Sequence, residues 1–192
     1  MDISKMSDEL RKLYESANAG DAAAQCYLGD RYYYGEGVPQ DYAKAAELFL
    51  KSAEQGNPDA QYSIGFMYGS GQGLPENAKK AAEWYLKAAK QGNASAQHCM
   101  GYCYRTGEGV PENAKKAAEW YLKSARQGYA AAQYDIANCY GIGYGVEQNE
   151  RIAIEWIEKS AVQGNADAIE MVKEAAANGD ADAIRILKKI KQ

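Results

Sequence analysis

The chain of 192 residues is poor in several residue types on which common classes of protein depend. It has one histidine, four cysteines and two phenylalanines. Four cysteines are too few for a scaffold held together by disulfides. No apolar run approaches the roughly 20 residues that span a bilayer. Acidic residues outnumber basic ones, 26 against 22, which argues against a surface that binds nucleic-acid phosphates. The sequence therefore predicts neither membrane insertion nor nucleic-acid binding.

The first ten residues, MDISKMSDEL, include acidic side chains and no apolar signal segment. We therefore expect the chain, as given, to be cytoplasmic in a bacterium. A secreted effector, or a chain that has lost a leader peptide, is the alternative.

Alanine, glycine and tyrosine are abundant instead, and they recur with a fixed period. Glycine occurs 19 times and tyrosine 16 times. The tetrapeptide AAAQ at residues 22–25 returns at 36-residue steps as PDAQ, ASAQ and AAAQ. Residues 75–87 are repeated identically at residues 111–123. Self-similarity of this kind is the signature of a repeat protein.

Each period is typical of two helices with a glycine-rich loop between them. Asp or Asn stands where an N-cap residue belongs before most of the helices, and Pro58 follows one of these caps at the first helical position. Glycine follows the second helix, where a left-handed residue commonly ends a helix. The predicted caps of the first helices are Asp21, Asn57, Asn93 and Asn165, those of the second helices are Asp41, Asn77, Asn113 and Asn149, and the terminal glycines are Gly56, Gly92, Gly128 and Gly164.

Two short helices cannot bury enough apolar surface to be stable alone, so neighbouring repeats must stack. The sequence predicts an all-α fold: a right-handed α/α superhelical solenoid of antiparallel helix pairs, forming one domain over residues 1–192. The predicted parts are an N-terminal capping helix at 1–20, repeats at 21–56, 57–92, 93–128 and 129–164, and a C-terminal capping helix pair at 165–192.

The pattern Ala-x-Ala-Gln-x-x-Leu-Gly-x-x-Tyr, followed by Gly-x-Gly-Val-Pro and by Ala-Ala-x-Trp-Tyr-x-Lys-x-Ala, resembles the Sel-one-like repeat family, a relative of the tetratricopeptide repeats. The resemblance covers residues 20–178. The fourth repeat departs from it, because Ala137 replaces the helical glycine and Glu147 replaces the proline. The resemblance implies a non-catalytic scaffold or adaptor that binds a protein or peptide partner.

By resemblance to tetratricopeptide units, positions 26, 30, 33 and 34 and their equivalents 36 residues apart should line a concave face. Cys26 and Asp30 are the first two of these positions. Tyrosine and arginine, which often anchor protein interfaces, are frequent there. The alternative is that these tyrosines only cover the inner wall of a tight superhelix. The residues predicted to bind the partner are Tyr33, Tyr34, Tyr62, Phe66, His98, Tyr102, Arg105, Tyr134 and Asn138.

A second hypothesis concerns the one cluster of soft ligands, His98, Cys99 and Cys103. It would make the protein a metal- or redox-dependent regulator or an enzyme. Cys99 and Cys103 lie four residues apart on one helix face, whereas His98 is rotated about 100° from Cys99, and a zinc site needs four convergent ligands. His98 also has no acidic neighbour at helical spacing on its own helix. We therefore expect no catalytic residues, no metal, no cofactor and no small-molecule substrate.

Overall fold

The computed structural model of the chain describes residues 7–190. Within that range it contains eleven α-helices and no strand, which confirms the all-α prediction. No helix among those residues is long and apolar enough to cross a membrane. The helices are α1 (Asp8–Asn18), α2 (Ala22–Tyr34), α3 (Tyr42–Glu54), α4 (Pro58–Ser70), α5 (Ala78–Lys90), α6 (Ala94–Thr106), α7 (Ala114–Arg126), α8 (Ala130–Ile142), α9 (Glu150–Val162), α10 (Ala166–Ala177) and α11 (Ala181–Ile190).

The helices follow the predicted order of first and second helices. Four pairs, α2 with α3, α4 with α5, α6 with α7 and α8 with α9, each pack side by side. Helix α1 packs on α2, and α11 packs on both α10 and α9, as expected of helices that cover the two ends. Residues 1–6 and 191–192, which belong to the predicted caps, lie outside the described residues.

The helix boundaries come from local hydrogen bonds that the sequence already indicates. The side chains of Asp41, Asn77, Asn113 and Asn149 accept hydrogen bonds from backbone N–H groups three residues on, at 2.9–3.0 Å, and so cap the second helices. Asp21, Asn57 and Asn165 cap first helices in the same way. The glycines after the second helices have φ between 87° and 97°, which confirms the predicted left-handed termini.

In the first three pairs, an aromatic ring of the second helix lies on a glycine of the first helix. A Cβ built at Gly65 would lie 2.6 Å from Cδ1 of Tyr85, and one built at Gly29 would lie 2.7 Å from Cε1 of Phe49. Gly101 and Tyr121 repeat the arrangement at 2.5 Å. The missing side chain therefore lets the two helices approach until the ring touches the backbone.

The glutamine of the AAAQ motif joins three of the pairs, α2–α3, α4–α5 and α8–α9, to the helix before each of them. The buried Gln61 donates from Nε2 to the carbonyl oxygen of Ala53 at 3.1 Å and accepts at Oε1 from Gln91 at 2.9 Å. Gln25 and Gln133 make the equivalent pairs of bonds. A buried amide with both ends bonded satisfies polar groups that would otherwise be costly to bury.

The chain divides into two compact units, the first ending at Asn93 and the second beginning at Ala94. This boundary coincides with a junction between repeats. The first unit contains α1–α5, and the second contains α6–α11. The prediction of a single domain stays a prediction.

The contact between glycine and aromatic ring predicts a strong dependence of stability on one methyl group. Gly65→Ala should lower the free energy of unfolding by about 1–3 kcal/mol, because the new Cβ overlaps the buried ring of Tyr85. In a Tyr85→Ile background, which reproduces the pairing of Ala137 with Ile157, the same change should be neutral or stabilising. Urea denaturation of the four proteins measures this double-mutant cycle.

Gly141→Ala is the matched control, because a Cβ at this helical glycine would lie 4.0 Å from Cβ of Ala153, at ordinary contact distance. It should raise stability by about 0.5–1 kcal/mol through helix propensity. An equal cost of Gly65→Ala in the wild-type and Tyr85→Ile backgrounds would contradict the proposed role of the ring.

Candidate functional site

Four of the predicted binding residues surround one cavity in the first unit. The cavity has a volume of about 330 Å³ and lies between α2 and α4. We call it the aromatic cavity; its walls are Asp30, Tyr33, Tyr34, Tyr62, Ser63 and Phe66, and its floor is Phe49 and Met67. The structure therefore brings together all the residues that were predicted for this unit.

The floor of the aromatic cavity follows from the packing of the repeat. Phe49 comes from the second helix α3 and lies against Gly29 of α2, so its ring reaches the base of the cavity. Phe49 and Met67 are almost completely buried, with 1% and 0% of their surface exposed. The walls come from successive turns of the two first helices, since Asp30, Tyr33 and Tyr34 share one face of α2.

Tyr33 contacts two other aromatic residues of the cavity wall, Tyr34 and Phe66. Its ring packs edge-on against Tyr34 at 4.9 Å between centroids, against Tyr42 at 5.1 Å and against Phe66 at 6.4 Å. Its hydroxyl donates to Oε1 of Gln72, in the loop that follows α4. These edge-to-face contacts are the favoured geometry of aromatic pairs. Tyr33 is thus fixed from several sides and orders the neighbouring rings.

Two of the aromatic side chains remain accessible. Tyr34 is 65% exposed and Phe66 is 41% exposed, whereas Tyr33 and Tyr62 are half-buried. Tyr62 is inclined against Tyr85, with 5.9 Å between the ring centroids. The aromatic cavity therefore has a buried floor, a fixed wall and an exposed rim, which is the arrangement of a small binding pocket.

Asp30 is the one ionisable carboxyl group in the wall of the aromatic cavity. Its burial raises its pKa to about 6, and the negative charges of Asp59 and Glu36 add to the increase. Among residues 7–190 its carboxyl group makes no side-chain hydrogen bond and no ion pair. Arg31, the next residue, is bonded to Tyr27 and paired with Glu36 instead.

In the second unit, the predicted residues are divided among different surroundings. His98 of α6 bonds through Nε2 to Oδ2 of Asp135 on α8, at 2.7 Å. Its ring lies 5.2 Å from Tyr129 and 5.6 Å from Tyr121, measured between centroids. His98 is therefore engaged in a polar and aromatic network between two first helices.

Arg105 and Tyr102 form a second group on α6. Nε of Arg105 donates to the hydroxyl of Tyr121 at 3.1 Å, and its guanidinium lies 5.2 Å from the ring centroid of Tyr102. Tyr102 itself is 40% exposed. This pair presents an aromatic ring and a cation at the surface, and both residue types are enriched at protein interfaces.

Tyr134 and Asn138 of α8 have surroundings of their own. Tyr134 packs against the C-terminal apolar core with Ile157 and Val172. Asn138 lines a separate cavity of about 330 Å³ together with Ile142 and Met171. Cys26, which occupies a predicted inward position in the first repeat, is buried and 7% exposed. The repeat position alone therefore does not decide whether a side chain is accessible.

The alternative hypothesis of a metal or redox centre finds no support in the described part of the chain. No three His, Cys, Asp or Glu side chains come together there to hold a metal ion. Cys103 is buried, and burial raises the pKa of its thiol to about 11. Burial likewise raises the pKa of Cys139 to about 11 and that of Cys26 to about 12. Thiols with raised pKa values are weak nucleophiles and weak metal ligands at neutral pH.

Sequence reasoning missed Asp135 as the partner of His98 and did not single out Asp30 as a binding residue. Asp135 lies 37 residues after His98, one residue more than the period, so the two meet between adjacent first helices. A search for charged pairs at the repeat period plus or minus one would have found it. Asp30 occupies an inward position of the first repeat, and Phe66, Tyr102 and Asn138 occupy its equivalents.

Comparison with protein families identifies the repeat. The model of the Sel1 repeat matches four consecutive segments, residues 22–57, 58–93, 94–129 and 130–165. These segments agree with the predicted repeats to within one residue. The comparison with curated proteins finds no match.

Solved structures with the same fold include longer proteins. A protective antigen of uropathogenic Escherichia coli that displays an SLR fold is 32% identical, with a TM-score of 0.85 over 95% of this chain. This chain spans only 40% of that protein's length. A Sel1 repeat protein from Oxalobacter formigenes is 29% identical, with a TM-score of 0.83, over 94% of this chain and 74% of its own. The immunity protein Pa5087 from Pseudomonas aeruginosa is 26% identical, with a TM-score of 0.54, over 82% and 58%.

The environment of Asp30 predicts that this residue lowers stability at neutral pH. The pKa of Asp30 is higher in the folded chain than its usual value near 3.9. The folded state therefore gains the full stabilising effect of the protonated carboxyl group below about pH 3.9, and it loses that effect as the pH rises through about 6. Asp30→Asn, which carries no charge to bury, should raise the melting temperature at pH 7.5 by roughly 2–4 °C. The gain should disappear near pH 4.

Thermal unfolding followed by circular dichroism across pH 4–7.5 measures this difference. Glu54→Gln, which removes a charge from the exposed surface of α3, serves as the control and should change the melting temperature little at any pH. A lower melting temperature of Asp30→Asn at pH 7.5 would contradict the prediction, because it would mean that the carboxylate stabilises the fold.

Proposed function

Since this chain belongs to the Sel1 repeat family, we propose that it binds a partner polypeptide on the first helices of its repeats and catalyses no reaction. Sel1 repeat proteins are generally non-catalytic scaffolds for protein–protein interaction. The aromatic cavity is the feature that carries the proposal for this particular chain. A partner side chain enters it, and the rest of the partner lies along the exposed rim.

The shape of the aromatic cavity supports a side chain of the partner as its occupant. Its volume of about 330 Å³ is at the lower end of the range for pockets that bind small molecules. The buried floor of Phe49 and Met67 offers apolar contact, and exposed Tyr34 and Phe66 offer surface that a partner would bury. Interface anchors commonly fill pockets of this kind, with near-neutral contacts around them.

The exposed residues of the second unit support the same function. Tyr102 and Arg105 present an aromatic ring with a guanidinium group over it, and both residue types are enriched at interface hot spots. They form a contact surface without a deep cavity. We therefore assign the anchoring of a partner side chain to the first unit, and we describe the surface of the second unit as a contact surface of its own.

Selection from a library of random peptides tests this function without knowledge of the natural partner. Peptides displayed on phage are selected on the immobilised wild-type chain after removal of those that bind the Tyr34→Ala/Phe66→Ala variant. Recovered peptides should bind Phe66→Ala at least tenfold more weakly than wild type. Burial of an aromatic side chain contributes about 1.5–3 kcal/mol, and about 1.4 kcal/mol corresponds to a tenfold change.

Lys79→Ala is the matched control, because Lys79 is exposed on the second helix α5. It should leave the affinity for the selected peptides unchanged. Circular dichroism checks that each variant is folded. The proposal fails if no peptide is enriched, or if the enriched peptides bind Phe66→Ala as tightly as wild type.

A further inference from the structure

The chemistry of the aromatic cavity narrows the class of side chain that it would accept, and this inference rests on the proposed function. Asp30 places a carboxylate beside aromatic rings, where it is partly removed from water. The charged groups that bear on it, Asp59 from α4 and Glu36 from the loop after α2, are both negative. Within residues 7–190, therefore, the carboxylate has no counter-ion.

An ionised carboxylate is costly to withdraw from water unless a partner compensates it. The neighbouring Arg31 does not act as the counter-ion of Asp30, because its guanidinium group is bonded to Tyr27 and paired with Glu36. The Asp30 carboxylate lowers stability and lies without a counter-ion in the wall of an open cavity. This arrangement is explained if a ligand supplies the counter-ion. A cation is the complement of that charge.

The rings of the aromatic cavity favour the same kind of ligand. Tyr33, Tyr34, Tyr62 and Phe66 all line it, and an ammonium or guanidinium group is attracted to the negative face of an aromatic ring. The chain already uses this interaction elsewhere, because the ammonium groups of Lys44 and Lys80 lie 5.3 and 5.1 Å from the ring centroids of Tyr32 and Tyr68. Aromatic rings with one carboxylate form a site for a cation that carries an apolar stem.

The other repeats lack this combination. The positions equivalent to Asp30 are Phe66, Tyr102 and Asn138. In the third and fourth repeats the acidic residue of the first helices α6 and α8, Asp135, is already bonded to His98. The unpaired acidic group beside aromatic rings is thus a property of the first unit and not of the repeat in general.

We propose that the aromatic cavity binds a lysine or arginine side chain of the partner polypeptide, with Asp30 as its counter-ion and the rings around its cationic head. The methylene stem, which joins that head to the partner backbone at the rim, packs against the rings of Tyr34 and Phe66. An apolar side chain of the same length fits the volume but leaves Asp30 without a counter-ion. The site therefore selects basic over neutral side chains.

Blocked pentapeptides, acetyl-Gly-Gly-X-Gly-Gly-amide, isolate the contribution of one side chain. X is lysine, arginine, norleucine or glutamate; norleucine keeps an unbranched apolar chain and lacks the ammonium group. Titrations of the full chain are followed by amide chemical shifts in NMR spectra. The lysine and arginine peptides should cause saturable shifts at Asp30, Tyr33 and Phe66 and bind about five- to tenfold more tightly than the norleucine peptide. The glutamate peptide should bind weakest.

Asp30→Asn should abolish the preference for lysine over norleucine, while Glu54→Gln, which removes the same unit of charge from the surface, should preserve it. Equal binding of the lysine and norleucine peptides to wild type overturns the cation site. The cation site is likewise overturned if none of the four peptides shifts these resonances, or if Asp30→Asn keeps the preference. None of these results contradicts the proposed binding of a partner polypeptide, which the selected peptides and Phe66→Ala test separately.

Discussion

The contact of an aromatic ring with a helical glycine sets the geometry on which the other features of the first three repeats depend. Because Gly29 has no side chain, Phe49 reaches across the helix pair and forms the floor of the aromatic cavity. Where the fourth repeat has Ala137 in place of glycine, the second helix carries Ile157 in place of the aromatic residue, and both belong to one apolar cluster. The added methyl group and the smaller partner compensate each other. The helix pair is thus a fitted unit in which two positions change together.

Stability and recognition impose opposite demands on the wall of that cavity. The buried amides of the glutamines are hydrogen-bonded at both ends, and the side-chain oxygens of the capping asparagines accept hydrogen bonds from the backbone, as a stable fold requires. Asp30 is the contrary case, since burial and two nearby acidic groups disfavour its charge. A neutral residue at this position would suit the folded chain better at neutral pH. The carboxylate is therefore best understood as a group whose favourable interaction is made with a ligand.

The sequence predicted the features that arise from local or strictly periodic interactions. The cap residues act on backbone groups two or three positions away, so a single segment reveals them, and the 36-residue period locates the four helix pairs of the repeats. The exact 36-residue period alone does not reveal the bond between His98 and Asp135, because the two residues are 37 positions apart and their side chains, from α6 and α8, meet only in the folded chain. Nor could it show that Cys26 is covered while its equivalent Tyr62 is only half-buried. Those outcomes depend on the size and direction of neighbouring side chains.

The repeats themselves separate the scaffold from the surface that varies. The second helices α5 and α7 are identical at 11 of 13 positions, whereas the first helices α4 and α6 are identical at only four. Each of the four shared positions of α4 has a role in the packing: Gln61 in the amide bonds, Gly65 under the ring of Tyr85, Ala60 in the core and Tyr68 beside Lys80.

Of the nine differences between α4 and α6, two exchange one buried apolar residue for another, Ile64 for Met100 and Met67 for Cys103. The other seven are half-buried or exposed, and they include the exchange of Phe66 for Tyr102 and of Tyr62 for His98. Sequence difference is therefore concentrated on the helix face that the proposed partner would contact, while the framework that supports that face is kept the same.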